Sequence, residues 1–444
     1  MRTNNIFGII TLLAAVILSS CSSDDGNNHG KGADDSQQYR NSVLIYIAAQ
    51  NSLGYLEPGY TSASVLDSAE IVKGATKLSN TQDNVFLFID DAQKPRLYRL
   101  FRTGSGAQMR TQIDKVLTWS TDANSADPAT LRDVLTFISQ QYPSLSYGLV
   151  MWSHGDGWLP STNKKNTLNS GRSICIDVGS DGDMANDTDI FGEIGTQMDI
   201  ADMAEAVSQS GVHLDYILFD ACLMQNIEVA YDLRNVADYI IGSANITSAY
   251  GAYYTNLIPN ALMAHPFDDQ SAINIANQYY YDAVDNEQLH IYYGETGNAN
   301  SVIKTAHLEQ LATATGQYLN KAISERRSPD MQGVQAYCSS IIFNSPEFYD
   351  MGSAMHNLLE ADDYQAWLNI AKQCVISHNI SPKYSIGIIG NGNLFATLND
   401  AEHSLGVSMF ITQERYEHSP YSPYNTLFSQ TAWYTAALWS HTGW

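Results

Sequence analysis

The segment 216–234 constrains the fold more than any other stretch, because a short apolar run is followed, after three residues, by a helical repeat. Its first residues, from Tyr216 to Phe219, are rich in β-forming side chains and predict a buried strand. From Leu223 onward, apolar residues recur at the spacing of one helix face. A further apolar run at 239–241 completes a strand–helix–strand unit, so we expect a parallel sheet here.

Asp220, Ala221 and Cys222 lie between the predicted strand and the predicted helix. A cysteine at this position follows the carboxyl end of a strand, the edge at which open α/β sheets place their ligand crevice. It also precedes the amino end of the predicted helix, where a thiolate is stabilised. A single cysteine after an apolar run is more often an ordinary core residue. Cys222 therefore indicates a catalytic role only if a second reactive side chain lies near it.

His154 provides such a partner at the end of a second strand. The apolar run 147–152 predicts a buried strand, and it leads directly into Ser153, His154 and Gly155. Neutral imidazole can take the proton of a thiol and leave a nucleophile that is active at pH 7. The 68 positions from His154 to Cys222 leave room for the intervening helix. The backbone N–H groups of Gly155 and Cys222 could then face a tetrahedral oxyanion.

The rest of the chain alternates strands and helices through about residue 245, which predicts a doubly wound α/β sheet. We expect strands at 43–49 and 85–89, a hairpin extension at 97–101, and helices at 60–78, 128–141 and 200–208. Later helices are expected at 271–281, 308–326 and 362–377, later strands at 384–389 and 406–411, and an aromatic end at 421–444 that packs on the body. The length of 444 residues predicts a large domain at 42–290 and a smaller C-terminal α/β subdomain at 291–444.

The formal net charge of −24 argues against nucleic acid and against an anionic membrane surface as partners. It suits cationic substrates, but an acidic balance is often only a device for solubility. Of the five cysteines, Cys175, Cys338 and Cys374 show no CxxC spacing, which argues against a disulfide framework or a zinc site. We expect them to be core thiols, although an exported chain could pair two of them.

Residues 1–21 have the pattern of a secretory signal, in which Arg2 precedes an apolar stretch too short for a membrane span. The signal closes with the sequence LSSC at Cys21, which resembles the bacterial lipobox, where the cysteine is lipidated and becomes the mature amino terminus. Residues 22–41 are polar, as in a flexible tether, and their acidic start resembles the tract that sends Bacteroides-type lipoproteins to the cell surface. We therefore expect export, with a lipid anchor in the outer membrane as the one membrane contact.

Two motifs resemble the signatures of one peptidase family. The sequence SHGDGW around His154 and the sequence FDACLM around Cys222 resemble those of the clostripain-like cysteine peptidases, within the caspase and gingipain clan. The segments EVAY at 228–231 and TGW at 442–444 also look familial, so the similarity covers most of the secreted chain. The resemblance implies a caspase-like open, mainly parallel sheet flanked by helices. It also implies a His154/Cys222 dyad without a required acidic third member, and hydrolysis of peptide bonds.

The resemblance further implies that Asp220 helps to form the pocket for the residue before the scissile bond, which in this family is usually Arg or Lys. A carboxylate in a partly dry pocket would pair with guanidinium or ammonium. The chain departs from the family at 243–248, where SANITS has none of the acidic residues that relatives tend to carry. Asp220 can alternatively cap the helix predicted from Leu223, and both interpretations stay open.

The family often matures by cutting itself between its histidine and its cysteine. Lys165 and Arg172 lie in that interval, so cleavage of a zymogen after either would give two associated chains. The alternative is that these are solvated loop charges. Some relatives use calcium, and the acidic residues from Asp177 to Asp189 offer hard oxygen ligands. Their spacing lacks the twelfth-position Glu of an EF-hand loop, which favours a solvated acidic loop and no required cofactor.

The sequence thus supports two functions. The first is a lipid-anchored cysteine endopeptidase that acts on peptide or protein substrates through His154 and Cys222. The second is a catalytically inactive surface lipoprotein that binds peptides or glycans through its aromatic C-terminal part. The two functions differ in the reactivity that they require of Cys222. Only a peptidase needs Cys222 to be more reactive than the other cysteines.

Overall fold

The computed structural model describes residues 38–54, 61–91, 93–159, 174–179, 195–286, 297–325, 330–337, 347–389, 392–418 and 423–442. The predicted signal and Cys21 lie outside these residues, as do Lys165, Arg172 and Cys338. Within the described ranges, no helix combines the length and the apolar character that crossing a bilayer would require.

The strands of the described residues include every strand that the sequence predicts. They are β1 Tyr39–Ala48, β2 Asp83–Asp90, β3 Arg96–Thr103, β4 Arg110–Thr118, β5 Ser144–Trp152, β6 Ile174–Asp177, β7 Thr196–Met198, β8 Leu214–Asp220, β9 Ala237–Ser243, β10 Ala299–Lys304, β11 Tyr349–Asp350, β12 Val375–Ile380, β13 Lys383–Ile389, β14 Gly392–Thr397 and β15 Ser408–Met409. Strand β1 begins inside the segment predicted as a tether, because Arg40 and Asn41 both hydrogen-bond to Asp83 at the start of β2.

The α-helices of the same residues include one near each of the ranges predicted at 60–78, 128–141, 200–208, 271–281, 308–326 and 362–377, and others that the sequence did not predict. They are α1 Ala63–Ala75, α2 Pro128–Gln141, α3 Ile200–Gln209, α4 Ile227–Leu233, α5 Tyr254–Leu257, α6 Asp269–Tyr280, α7 Leu308–Ser324, α8 Met351–Leu358, α9 Ala361–Cys374, α10 Tyr424–Phe428 and α11 Ala432–Ala436. Helix α9 ends before the predicted boundary at 377, because the chain from Val375 pairs as strand β12 with β10.

Nine strands form the main sheet, in the order β12-β10-β9-β8-β5-β1-β2-β3-β4. The five central strands, from β9 to β2, are parallel to one another. Antiparallel strands extend the sheet at both sides, as the hairpin β3–β4 beyond β2 and as β10 and β12 beyond β9. The prediction of an open α/β sheet with a parallel centre is confirmed.

Helices cover both faces of the sheet, and this explains why the central strands are apolar at successive positions over their middle parts, as at Val43–Ala48 of β1. On β1, Leu44 and Tyr46 point into a core that also contains residues of α2, α3 and α4. Their neighbours Val43, Ile45 and Ile47 point into a second core, which α1, α5 and α6 complete. Alternate side chains of a strand face opposite sides of a sheet, so a strand that is buried on both faces needs apolar residues throughout.

The C-terminal part shares this sheet with the rest of the chain, since β10 and β12 are two of its nine strands. The division at residue 290 stays a prediction. The expected packing of the aromatic end is confirmed for its described residues, because Phe428, Trp433 and Trp439 are buried in the same core as α4.

A segment around β15 contacts the stretch that follows Cys222. The Ser408 N–H donates to the carbonyl of Gln225 over 2.9 Å, and the Asn226 side chain bonds to the Ser408 hydroxyl. The Phe410 N–H donates to the buried carboxyl of Glu228 over 2.8 Å. The chain from Gln225 to Glu228 is therefore held in place by residues almost two hundred positions later.

Asp350 organises the C-terminal part from a fully buried position. Its carboxylate accepts hydrogen bonds from the N–H groups of Gly352 and Ser353 at the start of α8. It also accepts from the N–H groups of Leu405 and Gly406, which precede β15. Burial raises the pKa of Asp350 to about 6. One side chain thus satisfies the amino end of a helix and the strand entry that lies beside it.

Replacing Asp350 by Ala should destabilise the protein by about 3–5 kcal/mol, because several buried N–H groups lose their acceptor together. The free energy of unfolding is measured by urea denaturation. Asp133→Ala, which removes an exposed carboxylate on α2, is the control and should change the value by less than about 0.5 kcal/mol. Equal stability of the two variants would show that the Asp350 bonds contribute little.

Candidate active site

His154 and Cys222 lie at the ends of two neighbouring parallel strands. Trp152 of β5 pairs with Asp220 of β8, and each candidate residue follows its paired position by two residues. The two loops touch, since a Cβ built on Gly155 would lie 2.8 Å from the Cys222 carbonyl oxygen. The structure therefore brings the histidine and the cysteine to the same rim of the sheet, as the sequence led us to expect.

Both side chains line one cleft of about 240 Å³. The other residues of the cleft wall are 52–53, Trp152, Ser153, Asp220, 246–249 and Gly251. Cys222 is 8% exposed, so the sulfur is nearly enclosed and yet faces this space. Electrostatic interactions are stronger in such a partly enclosed space than in bulk water.

The surroundings of Cys222 favour the neutral thiol. Burial is the main reason why the pKa of Cys222 is raised to about 11, and the negative charges of Asp156 and Asp220 raise it further. The Thr247 hydroxyl, 3.6 Å from the sulfur, acts in the opposite direction. A nucleophile at neutral pH would therefore require a base that removes the thiol proton.

The prediction that Cys222 precedes a helix is wrong. Helix α4 begins at Ile227, and the residue after the cysteine, Leu223, has a left-handed backbone with φ of +61°. The chain then runs beside the end of β9, where the N–H groups of Leu223 and Gln225 donate to backbone carbonyls over 3.1 Å. No helix dipole acts on the thiol directly, because Leu223 and Met224 occupy core positions in a turn and not on a helix face.

His154 is half-buried and is held at both its ring and its backbone. Its Nε2 atom lies 2.9 Å from the hydroxyl oxygen of Ser52. Its carbonyl accepts a hydrogen bond from the Cys175 N–H of β6 over 3.2 Å, beside a bridge between Gly155 and Ile174. Ser52 was missed in the sequence, although its place just after β1, the neighbour of β5, puts it at the same rim.

Asp220 is buried and accepts three hydrogen bonds: from the Ala252 N–H over 2.8 Å, from the Tyr254 hydroxyl over 2.7 Å and from the Tyr279 hydroxyl over 3.1 Å. Burial nevertheless raises its pKa. The alternative that Asp220 caps a helix at Leu223 is wrong, because no helix begins there. The carboxylate is part of the cleft wall.

A second buried carboxylate, Asp67 of α1, lies close to Asp220. It accepts a 2.6 Å hydrogen bond from the Trp152 indole nitrogen. Burial raises the pKa of Asp67 well above the ordinary value, and the negative charges of Glu70 and Asp220 raise it further. A Cβ on Gly251 would come within 2.6 Å of Asp220 and 3.0 Å of Asp67. Glycine is required here, since its φ is also +60°. Sequence patterns gave no signal for Asp67.

The amides proposed for an oxyanion lie at the turns themselves. Among the described residues, neither the Gly155 N–H nor the Cys222 N–H donates to a backbone carbonyl outside helices and strands. The Cys222 amide follows the strand end, and the Gly155 backbone packs against the Cys222 carbonyl. An acyl-transfer site needs such donors beside its nucleophile, and the role of these two amides stays a prediction.

The other cysteines resemble core residues. Cys175 and Cys374 are buried free thiols, and burial raises the pKa of each. A cluster of His356, Asp400 and His403 brings donor atoms close together. The two imidazole rings stack 3.5 Å apart and 9° from parallel, so their lone pairs point along parallel planes and do not converge on one ion.

Comparisons with known proteins identify the family of this chain. The model of the clostripain family matches residues 45–444. Clostripain of Hathewaya histolytica is 25% identical over 232 residues, which are 49% of this chain and 41% of clostripain, so the chain spans less than half the length of that relative.

Two solved structures resemble the fold over most of the chain. One is a secreted C11 cysteine protease of Bacteroides thetaiotaomicron in complex with an irreversible peptide inhibitor, with 28% identity, a TM-score of 0.70, and coverage of 90% of this chain and 99% of that one. The other is an inactive zymogen C11 protease of Parabacteroides distasonis, with 24% identity, a TM-score of 0.68 and the same coverage, which supports the fold. The protein is a member of the clostripain family of cysteine peptidases.

Proposed function

We propose that the protein is a cysteine endopeptidase in which Cys222 is the nucleophile and His154 is the general base. The observation that carries this proposal is the pairing of Trp152 with Asp220, which leads both side chains into one cleft at one rim of the sheet. Family membership supplies the reaction class, and a relative was solved with an irreversible peptide inhibitor.

Each step follows from the groups in the cleft. His154 takes the proton of the Cys222 thiol, whose pKa of about 11 keeps it protonated otherwise. The thiolate adds to the scissile carbonyl carbon, and the amides of Gly155 and Cys222 receive the oxyanion. The C–N bond then breaks, the leaving amine takes the proton from His154, and a thioester remains on Cys222. Water that loses a proton to His154 hydrolyses the thioester and restores the thiol.

Asp220 supports a preference for Arg or Lys before the scissile bond. Its carboxylate lies in the cleft wall two residues before the nucleophile, and it is buried. Asp67 adds a second buried carboxylate beside it. A guanidinium or ammonium group that enters here would neutralise charge that is otherwise costly to bury.

Self-processing after Lys165 or Arg172 would convert the chain into two associated parts. The cut would fall between Leu159 and Ile174, and both of these flanking residues are buried in the same core. Strand β6 is also bonded to β7 and to the backbone of His154. The two chains would therefore remain associated through these flanking segments.

We further propose export with a lipid on Cys21 and attachment to the outer membrane. The similar protease of Bacteroides thetaiotaomicron is secreted, which supports export. Between Cys21 and the first residue of β1, Tyr39, lie 17 residues. Fully extended, such a tether reaches about 60 Å, so the cleft would stand clear of the headgroups.

Alkylation with iodoacetamide tests the dyad. At pH 7 Cys222 should react far faster than Cys175 or Cys374, because only Cys222 lies beside a base in an open cleft. His154→Ala should slow the reaction of Cys222 by about 100-fold or more and should make its rate rise about tenfold per pH unit up to pH 10, since the thiolate fraction then follows a pKa of about 11. Rates are read from modified peptides by mass spectrometry.

The control for this experiment is His213→Ala, which removes an exposed histidine that bonds to Asp238. It should leave the alkylation rate and its pH profile as in the wild type. Equal rates for wild type and His154→Ala would contradict the dyad and would favour the inactive binding protein.

Asp220→Asn should reduce kcat/KM for an Arg reporter peptide by about 100-fold and that for an Ala reporter by less than about threefold, because a desolvated charge pair is lost only with the basic substrate. Asp215→Asn changes a carboxylate at the opposite end of the same strand and should leave the Arg-to-Ala ratio unchanged. Equal kcat/KM values of the wild type for the Arg, Lys and Ala reporters would contradict the proposed preference for basic residues.

Purified wild-type protein should appear as two fragments on a denaturing gel and as one species in native gel filtration. Cys222→Ala should remain a single chain, and the double variant Lys165→Ala/Arg172→Ala should mature slowly or not at all. Edman sequencing of the second fragment locates the cut. A wild-type protein that stays intact, like Cys222→Ala, would contradict self-processing.

A further inference from the structure

Basic residues are concentrated on one hairpin of an otherwise acidic chain. Acidic residues outnumber basic ones by 47 to 23 over the whole sequence, but the segment 94–115 contains six basic residues and one acidic residue. Lys94 and Arg96, near the start of β3, bond to the Ser120 carbonyl and to Asp91. The other basic side chains of this hairpin form no ion pair with an acid among the described residues.

Arg102, near the end of β3, connects several of these cations. Its guanidinium donates to the Thr76 carbonyl over 2.7 Å and to the Met109 carbonyl over 3.2 Å. Thr76 follows α1, and Met109 precedes β4. Basic side chains flank both carbonyls, and in the described part of the chain they too have no acidic partner. We define the basic patch as Lys73, Lys77, Arg102 and Arg110.

The basic patch lies at the amino ends of the parallel strands, on the side of the sheet away from the catalytic cleft. Strand β3 runs antiparallel to β2, so that Phe101 near its end pairs with Asn84 near the start of β2. His154 and Cys222 follow the carboxyl ends of β5 and β8. Strand β5 has nine residues and spans about 30 Å. The patch and the cleft are therefore separated by about that distance.

The chain that comes from the proposed lipid site enters the fold at the same rim. Strand β1 begins at Tyr39, which pairs with Ser144 at the start of β5. The next residue, Leu145, is 60% exposed, more than any other large hydrophobic side chain of the described residues. One exposed leucine is ordinary by itself. Here, however, it lies about 15 Å from the end of β3, three strand spacings away, and beside the point where the tether from Cys21 arrives.

We propose that the basic patch and Leu145 bind the surface of an anionic bilayer. The phosphate groups of lipid headgroups complement the Lys and Arg side chains, and each such residue near the surface contributes about fivefold to binding. Leu145 inserts between the headgroups. The net charge of −24 led us to expect no such contact. Salt screens charges farther away than about 10 Å, so the acidic remainder of the protein does not prevent a contact made by one rim.

This contact determines the direction in which the catalytic cleft opens. A polar tether of 17 residues is flexible and leaves the orientation of the folded part free. With the basic patch on the bilayer, the amino ends of the parallel strands face the lipid and their carboxyl ends face away from it. His154 and Cys222 then lie about 30 Å above the headgroups, where substrates from the surrounding solution reach them.

Binding is tested with the Cys222→Ala chain that begins at Ser22. This protein lacks the lipid, keeps every described residue and cannot cleave itself. It is sedimented at about 0.1 M NaCl with vesicles of phosphatidylglycerol and phosphatidylcholine in equal amounts, and with vesicles of phosphatidylcholine alone. We expect it to sediment with the anionic vesicles only, and to be released from them at about 0.5 M NaCl because the attraction is electrostatic.

In this background, Lys73→Ala/Arg110→Ala should weaken binding to the anionic vesicles by about 30-fold, and Leu145→Ser should weaken it by about tenfold. The control Lys321→Ala/Lys383→Ala removes two exposed cations on α7 and β13 and should leave binding unchanged. All of these side chains are exposed, so the melting temperatures should stay within about 2 °C of the parent protein.

Absence of binding to the anionic vesicles, equal binding to both kinds of vesicle, or an equal loss in the two double variants would overturn the proposal. Binding to heparin without binding to anionic vesicles would also overturn it and would assign the basic patch to an acidic polysaccharide. Because the protein used has neither its nucleophile nor its lipid, these outcomes are independent of the proposed peptidase activity and of the proposed anchor.

Discussion

The site depends on the parallel pairing of β5 with β8. In parallel strands, paired residues continue in the same direction, so a residue two places beyond one partner meets a residue two places beyond the other. Trp152 and Asp220 form the last pair of this ladder, and the chain then leaves the sheet at the same level on both strands. Neither the histidine nor the cysteine needs a special contact with the other to be brought close, because the hydrogen bonds of the sheet do this.

The cleft has a net excess of acid, and this determines how its chemistry can work. The charges of Asp156 and Asp220, both buried, disfavour the thiolate of Cys222, and burial of the sulfur disfavours it further. In these surroundings the thiol of Cys222 is neutral, and no Lys or Arg is present among the described residues that line the cleft. Under the proposed preference for basic substrates, a cationic side chain in the cleft would offset these negative charges and would make ionisation of Cys222 less costly.

The sequence allowed prediction of the strands and of the residues at their ends, because apolar periodicity and chain order determine both. It did not allow prediction of the turn at Leu223, where a non-glycine residue adopts a left-handed backbone and the helix starts four residues later. Here the packing of buried residues, and not the spacing of apolar residues along the chain, determines where the helix begins. Ser52 and Asp67 were missed for a different reason, since their roles come from contacts between distant segments that leave no local pattern.

The contacts between the β15 segment and the chain after Cys222 have a consequence for the order of events during synthesis. Gln225, Asn226 and Glu228 acquire their partners Ser408 and Phe410 only when the last tenth of the polypeptide has emerged. Until then the turn that follows Cys222 lacks these hydrogen bonds, even though the central strands can already pair. We therefore expect the turn beside Cys222 to become ordered after the central strands have paired, once residues 408–410 have been added to the chain.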